Sequence, residues 1–87
     1  MLAIADFDQA IRLRPSMALL LYVRGLAKQH AGDARGGESD FQKALQLDPD
    51  EASSLFNRGI AKRALGDGDG ADADIARAKA INPRIGE

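Results

Sequence analysis

Between residues 2 and 13 the apolar side chains Leu2, Ile4, Phe7, Ala10, Ile11 and Leu13 fall mostly three or four positions apart. That spacing gathers them on one face of a helix. Pro15 ends the segment, because the residue before a proline is driven out of helical conformation. Ser16 is a suitable N-cap for a second helix over residues 17–30. Gly32 tolerates the left-handed backbone that closes this helix, and Asp33 caps a third over 34–47. Pro49 follows. Asp50 is expected to cap a fourth helix reaching about residue 64. Gly66 closes it, and Asp67 caps a fifth that runs to residue 81, ahead of Pro83. No stretch alternates with period two, so no strand is predicted. The loops are short enough to make neighbouring helices antiparallel hairpins.

The pattern repeats. Pro15, Pro49 and Pro83 are 34 residues apart, and residues 1–53 laid over 35–87 give 17 identities. Among them are Asp6/Asp40, Phe7/Phe41, Ala10/Ala44, Leu21/Leu55, Arg24/Arg58, Gly25/Gly59, Lys28/Lys62 and Gly32/Gly66. A fixed period of this size marks a stacked array of helical units. Such an array presents a surface rather than a catalytic pocket.

Composition narrows the partners. With 87 residues the chain is one small domain, and its net charge is −1, from 12 basic and 13 acidic residues. Without a basic excess, nucleic-acid binding lacks its main electrostatic term. Cysteine is absent, which removes disulfides and thiolate metal sites and fits a reducing setting, so a cytoplasmic location is the expectation. The longest apolar run, residues 17–23, is far short of the roughly 20 residues that span a bilayer. It has no cleavage context either, so neither a membrane span nor a signal peptide is expected. Because the amphipathic pattern begins at Met1, the chain is expected to be an excerpt of a longer array.

Glycines are the weak point of the helices. Gly36, Gly37, Gly68 and Gly70 fall in first turns, where each costs about 0.5–1 kcal/mol against alanine. Gly37 and Ala71 have a packing explanation, since small residues let two helix backbones approach. Gly68 has none, and its turn is expected to fray.

The 34-residue helix–turn–helix unit, with small residues at fixed positions and a closing proline, resembles the tetratricopeptide repeat. The resemblance divides the chain into a half unit at 1–15, repeats at 17–50 and 51–84, and a tail at 85–87. It implies an all-α fold, a right-handed α-solenoid of stacked antiparallel helix pairs. Gly25 and Gly59 take the small position where paired helices cross, and Gly37 and Ala71 take the second, with Ala3 in the half unit. Phe7, Phe41 and Ile75 match the aromatic packing position, and Ala10, Ala44 and Ala78 the third small one. The departures stand out. Leu21 and Leu55 replace a frequent tryptophan, Arg24 and Arg58 a leucine, Lys28 and Lys62 a tyrosine, and Ala34 and Gly68 an aromatic. They suggest a lean, loosely packed interior.

The resemblance also implies a concave face on the first helix of each pair. It would carry Leu19, Tyr22, Val23, Leu26 and Gln29 in one repeat, then Ser53, Phe56, Asn57, Ile60 and Arg63 in the next. Tyr22 and Phe56 are in register and expected to stack along the groove. Two readings stay open for them: anchors for a bound peptide, or packing against an adjacent helix. Some family members hold a C-terminal carboxylate with lysine, asparagine and arginine on this face. Asn57 matches one such position, but Tyr22 and Leu26 occupy two others, so no clamp is expected.

Other clusters yield to plainer readings. His30 has no nucleophile placed beside it by the pattern and reads as a surface or groove histidine. The acids from Asp67 to Asp74 fail as a calcium loop, because Ala71, Asp72 and Ala78 stand where a ligand, a glycine and the closing glutamate are needed. They suit a helix N-terminus instead. The glycines at 66, 68 and 70 follow a helix, unlike a dinucleotide loop. Arg35-Gly36-Gly37 occurs once and says little about RNA. Arg24, Lys28, Arg58 and Lys62 form a periodic basic stripe, expected to be solvated or paired with Asp40 and Asp74.

These readings converge on a protein–protein interaction module that binds a protein or peptide, with no catalytic residues and no cofactor. Nucleic acid and membrane are not expected partners. The alternative is a self-assembling repeat fragment, whose uncapped ends drive homo-oligomerisation or helix swapping.

Overall fold

A computed structural model describes residues 18–86. The expected first helix and its residues Leu2 to Pro15, together with the Ser16 cap, lie outside the described residues. Four helices follow in order: α1 (Ala18–His30), α2 (Ala34–Leu47), α3 (Ala52–Ala64) and α4 (Gly68–Ile81). No strand occurs among the described residues. Consecutive helices pack as antiparallel neighbours, α1 on α2, α2 on α3 and α3 on α4. By contrast, α1 and α3 approach only marginally, and no Cα of α2 comes within 8 Å of one in α4. The helices are therefore stacked in sequence rather than gathered around a common centre.

The connections repeat bond for bond. After α1, Gly32 sits at φ +90, its N–H donates to Gln29 O, and Asp33 N–H donates to Lys28 O at 2.8 Å. Gly66 at φ +91 repeats this, with Asp67 N–H donating to Lys62 O at 2.8 Å. Each aspartate then caps the next helix, its carboxylate accepting from Gly36 N–H or Gly70 N–H. These two glycines, also 34 apart, have a use that the sequence reading missed. A Cβ at either position would fall within 2.3 Å of the capping carboxylate, so glycine leaves that carboxylate its place. Gly68 has open space around it, and α4 is helical from Gly68 onward.

The cap on α3 departs from expectation. Glu51, not Asp50, is the N-cap: it is extended at φ −76, ψ 99, and its carboxylate accepts from Ser53 N–H at 3.0 Å. Asp50, one residue farther out, instead approaches Arg77 of α4 at 3.6 Å.

Where paired helices cross, side chains give way to backbone. A Cβ on Gly25 would lie 2.7 Å from the Phe41 ring, and one on Gly59 would lie 2.8 Å from Ile75. A Cβ on Gly37 would lie 3.0 Å from Gly25 O, as the close-approach reading requires. Phe41, Leu55 and Ala44 are buried, as are Ala61, Ala71 and Ala78. A large side chain so enclosed contributes roughly 1.5–3 kcal/mol by burial.

Charged groups stand between the helices of each hairpin. Arg24 holds Asp40 through two bonds, Nε to Oδ2 at 2.7 Å and Nη2 to Oδ1, and Lys28 Nζ lies 3.3 Å from the same carboxylate. One period later Arg58 holds Asp74 at 2.8 and 2.9 Å, with Lys62 Nζ at 3.0 Å. Asp40 is only 1% exposed and Asp74 7%. The basic stripe is thus a set of paired struts between the two helices of each hairpin.

Candidate interaction surface

α1 and α3 are the first helices of successive hairpins, and Tyr22 of one meets Asn57 of the other. Leu19 at the start of α1 is 65% exposed, and Ile60 on α3 is 36% exposed. Half-buried on the same two helices are Tyr22, Val23, Leu26 and Gln29 from α1, and Phe56 and Asn57 from α3. Ser53 is half-buried, and Arg63 is exposed.

The two aromatics take different roles. Tyr22 lies against Phe41 with ring centroids 5.8 Å apart and planes at 46°. Its hydroxyl accepts from Asn57 Nδ2 at 3.3 Å, which ties α1 to α3. Phe56 packs on the core of Leu45, Leu55 and Ala78, which Ile85 also meets. Gly86 comes so close that a Cβ there would lie 3.1 Å from Phe56 Cζ. Among the described residues Tyr22 forms its ring pair with Phe41, and none joins it to Phe56. Each aromatic is partly core and partly surface.

The polar members of the face are largely engaged. Asn57 Nδ2 also donates to Ser53 O at 2.9 Å, so its donor group is committed within the protein. Arg63 Nη2 meets Asp72 at 2.6 Å, a pair exposed on both sides and therefore of little energetic weight. Gln29 Oε1 is shielded and finds no partner among the described residues. His30 is exposed. Three of the four acids from Asp67 to Asp74 are engaged within the protein: Asp67 caps α4, Asp72 meets Arg63, and Asp74 joins the second ion cluster, while Asp69 lies in the first turn of α4.

Titration follows this pairing in one cluster. Burial pushes the Asp74 carboxyl upward, but hydrogen bonds from Arg58 and Lys62 outweigh it and hold it below the ordinary aspartate value. The bond to Asp74 raises Arg58 in turn.

A chain of antiparallel helix pairs with a constant connection is a helical solenoid, and solved structures share its fold. The tetratricopeptide repeat domain of Arabidopsis OM64 superimposes with a TM-score of 0.93, at 25% identity over 97% of this chain and 69% of that one. The first such domain of Spaghetti (RPAP3), bound to the HSP90 peptide SRMEEVD, gives 0.90 at 23% identity, over 93% of this chain and 64% of that one. MamA gives 0.86 at 21% identity, over 93% of this chain and 47% of that one. No protein-family model and no curated protein sequence matches. The chain has the tetratricopeptide-repeat fold, as the spacing of its prolines, glycines and alanines had suggested. No helix among the described residues is long and apolar enough to cross a membrane.

Proposed function

We propose that this chain is a non-catalytic protein–protein interaction module whose α1–α3 face holds an extended segment or a helix of a partner protein. Its units are the half repeat at 1–15, the repeats at 17–50 and 51–84, and the tail at 85–87. One observation carries the reading: Leu19 and Ile60 stand exposed on a face otherwise made of half-buried Tyr22, Val23, Leu26 and Phe56. Apolar side chains left in water beside a rigid aromatic floor are what a docking segment covers. The peptide bound to the Spaghetti domain supports the same use of the fold. The chemistry here differs from a carboxylate clamp, because Tyr22 and Leu26 occupy clamp positions and the Asn57 donor is already committed. The partner segment is therefore one with apolar anchors.

Peptide selection against the immobilised full chain tests this. Selected peptides should share apolar residues, and Leu19→Ser with Ile60→Ser should weaken them at least about tenfold while leaving the helical signal intact. Selection of peptides whose only shared feature is an acidic C-terminus would contradict it.

Self-assembly through the ends of the array is the second reading. At the C-terminal end, α4 has exposed Lys79 in the register position of buried Leu45, and Ile85 packs back onto the core. A mass that grows with concentration in sedimentation would support assembly, and a constant monomer mass would exclude it.

A further inference from the structure

The side of the stack made by α2 and α4 carries a concavity of its own. No Cα of α2 comes within 8 Å of one in α4, and α3, which packs on both, lies between them. A cleft of about 280 Å³ results. That is just below the roughly 300–1,000 Å³ of sites for drug-sized ligands, so it suits one large side chain. Its apolar part is Leu45, Leu55 and Pro49. Its polar part is Gln42 and Gln46, four apart on α2, with Arg58 and Arg77.

The two arginines are placed differently. Arg58 is locked by Asp74 through Nε and Nη2, and neither bond uses Nη1. Arg77 is exposed, and the nearest carboxylate is Asp50 at 3.6 Å, itself exposed. A loose pair of that kind is worth little and is easily exchanged. It also shows which group this rim accepts, namely a carboxylate. The same two positions are cationic one period earlier, as Arg24 and Lys43.

We propose that this cleft is a binding site, distinct from the α1–α3 face, for the acidic side chain of a partner protein's segment. The carboxylate enters between the Arg58 and Arg77 guanidiniums and displaces Asp50 from Arg77. Guanidinium groups meet carboxylates through paired, charge-assisted bonds. The Gln42 and Gln46 amides meet the partner's backbone, and Leu45, Leu55 and Pro49 take the methylene stem of a glutamate.

The test uses the full chain and N-acetyl-L-glutamic acid N-methylamide as probe, with the corresponding glutamine amide as uncharged control. Chemical shifts of the Arg58 and Arg77 Nε–H groups and the Gln42 and Gln46 side-chain amides are followed at constant ionic strength. The acid should shift all four sets saturably and the control should not. Two exposed substitutions should act in opposite directions. Arg77→Gln should weaken the acid about tenfold, the loss expected for one charge-assisted bond. Asp50→Asn should strengthen it by freeing Arg77. Equal shifts with the control, no shift at the arginines, or an Asp50→Asn chain that binds no tighter would each overturn the proposal.

Discussion

In the α1–α2 hairpin the space opposite Gly25 is filled by the Phe41 ring, which is fully buried and in contact with Tyr22. In α3–α4 the space opposite Gly59 is filled by Ile75, an aliphatic side chain that is half-buried. The frame around these fillers is the same: a glycine at the crossing, an aspartate cap after a left-handed glycine, and an Arg–Asp–Lys cluster between helices. The first cluster is sealed more tightly, with Asp40 at 1% exposure against 7% for Asp74. The comparison separates what a repeat must keep from what it can vary. Backbone approach and charge pairing are kept, and the apolar filling follows each hairpin's neighbours.

Cutting the ion clusters gives the largest expected effect. Asp40→Ala should cost about 4 kcal/mol, because it removes a buried carboxylate that both Arg24 and Lys28 meet. Asp74→Ala, at the less enclosed cluster, should cost less. Urea unfolding of the two variants measures the difference, and equal losses would mean that burial does not set the value of the cluster. Removing the fillers comes next. Phe41→Ala should cost about 3–4 kcal/mol and Ile75→Ala about 2 kcal/mol. A larger loss at Ile75 would reverse the ranking of the hairpins.

Acid sharpens the comparison from another side. The folded Asp74 has a lowered pKa, so its contribution is complete above the unfolded value of about 4 and is lost as pH falls through the lower folded value. Thermal melts between pH 7 and pH 2 should show stability falling below about pH 4. That part of the fall should shrink in Asp74→Asn. Smallest of all, Gly68→Ala meets nothing within 4 Å and should raise stability by about 0.5 kcal/mol, visible as a small increase in the urea midpoint.

Much of the frame can be read from the chain. The helices, the left-handed glycines, the Asp33 and Asp67 caps and the close approach at Gly37 follow from residue type at fixed spacing, because each is a local demand on the backbone. The Asp40 and Asp74 pairings were legible as candidates, since charges recurring with the fold period face one another in every unit. Other features depend on geometry that adjacent letters do not carry. Asp50 and Glu51 are both acids at a helix start, and only the extended backbone at Glu51 decides which one caps. Tyr22 and Phe56 share a register yet differ in surroundings: Phe41 gives Tyr22 a ring to lean on, and the tail covers Phe56. The cleft beside Arg77 is lined by residues of α2, α3 and α4 together, which no single repeat reveals.

The segment after α4 bears on how such chains can be extended. Asn82 N–H donates to Ala78 O and Ile85 N–H to Asn82 O, just as Asp48 N–H donates to Ala44 O and Glu51 N–H to Asp48 O before α3 begins. The joint after α4 therefore has the same hydrogen bonds as the joint that leads into α3. A unit spliced onto Gly86 would inherit its heading from a corner that is already built. Grafting would then be a matter of matching surfaces, with direction settled beforehand by two hydrogen bonds and a proline.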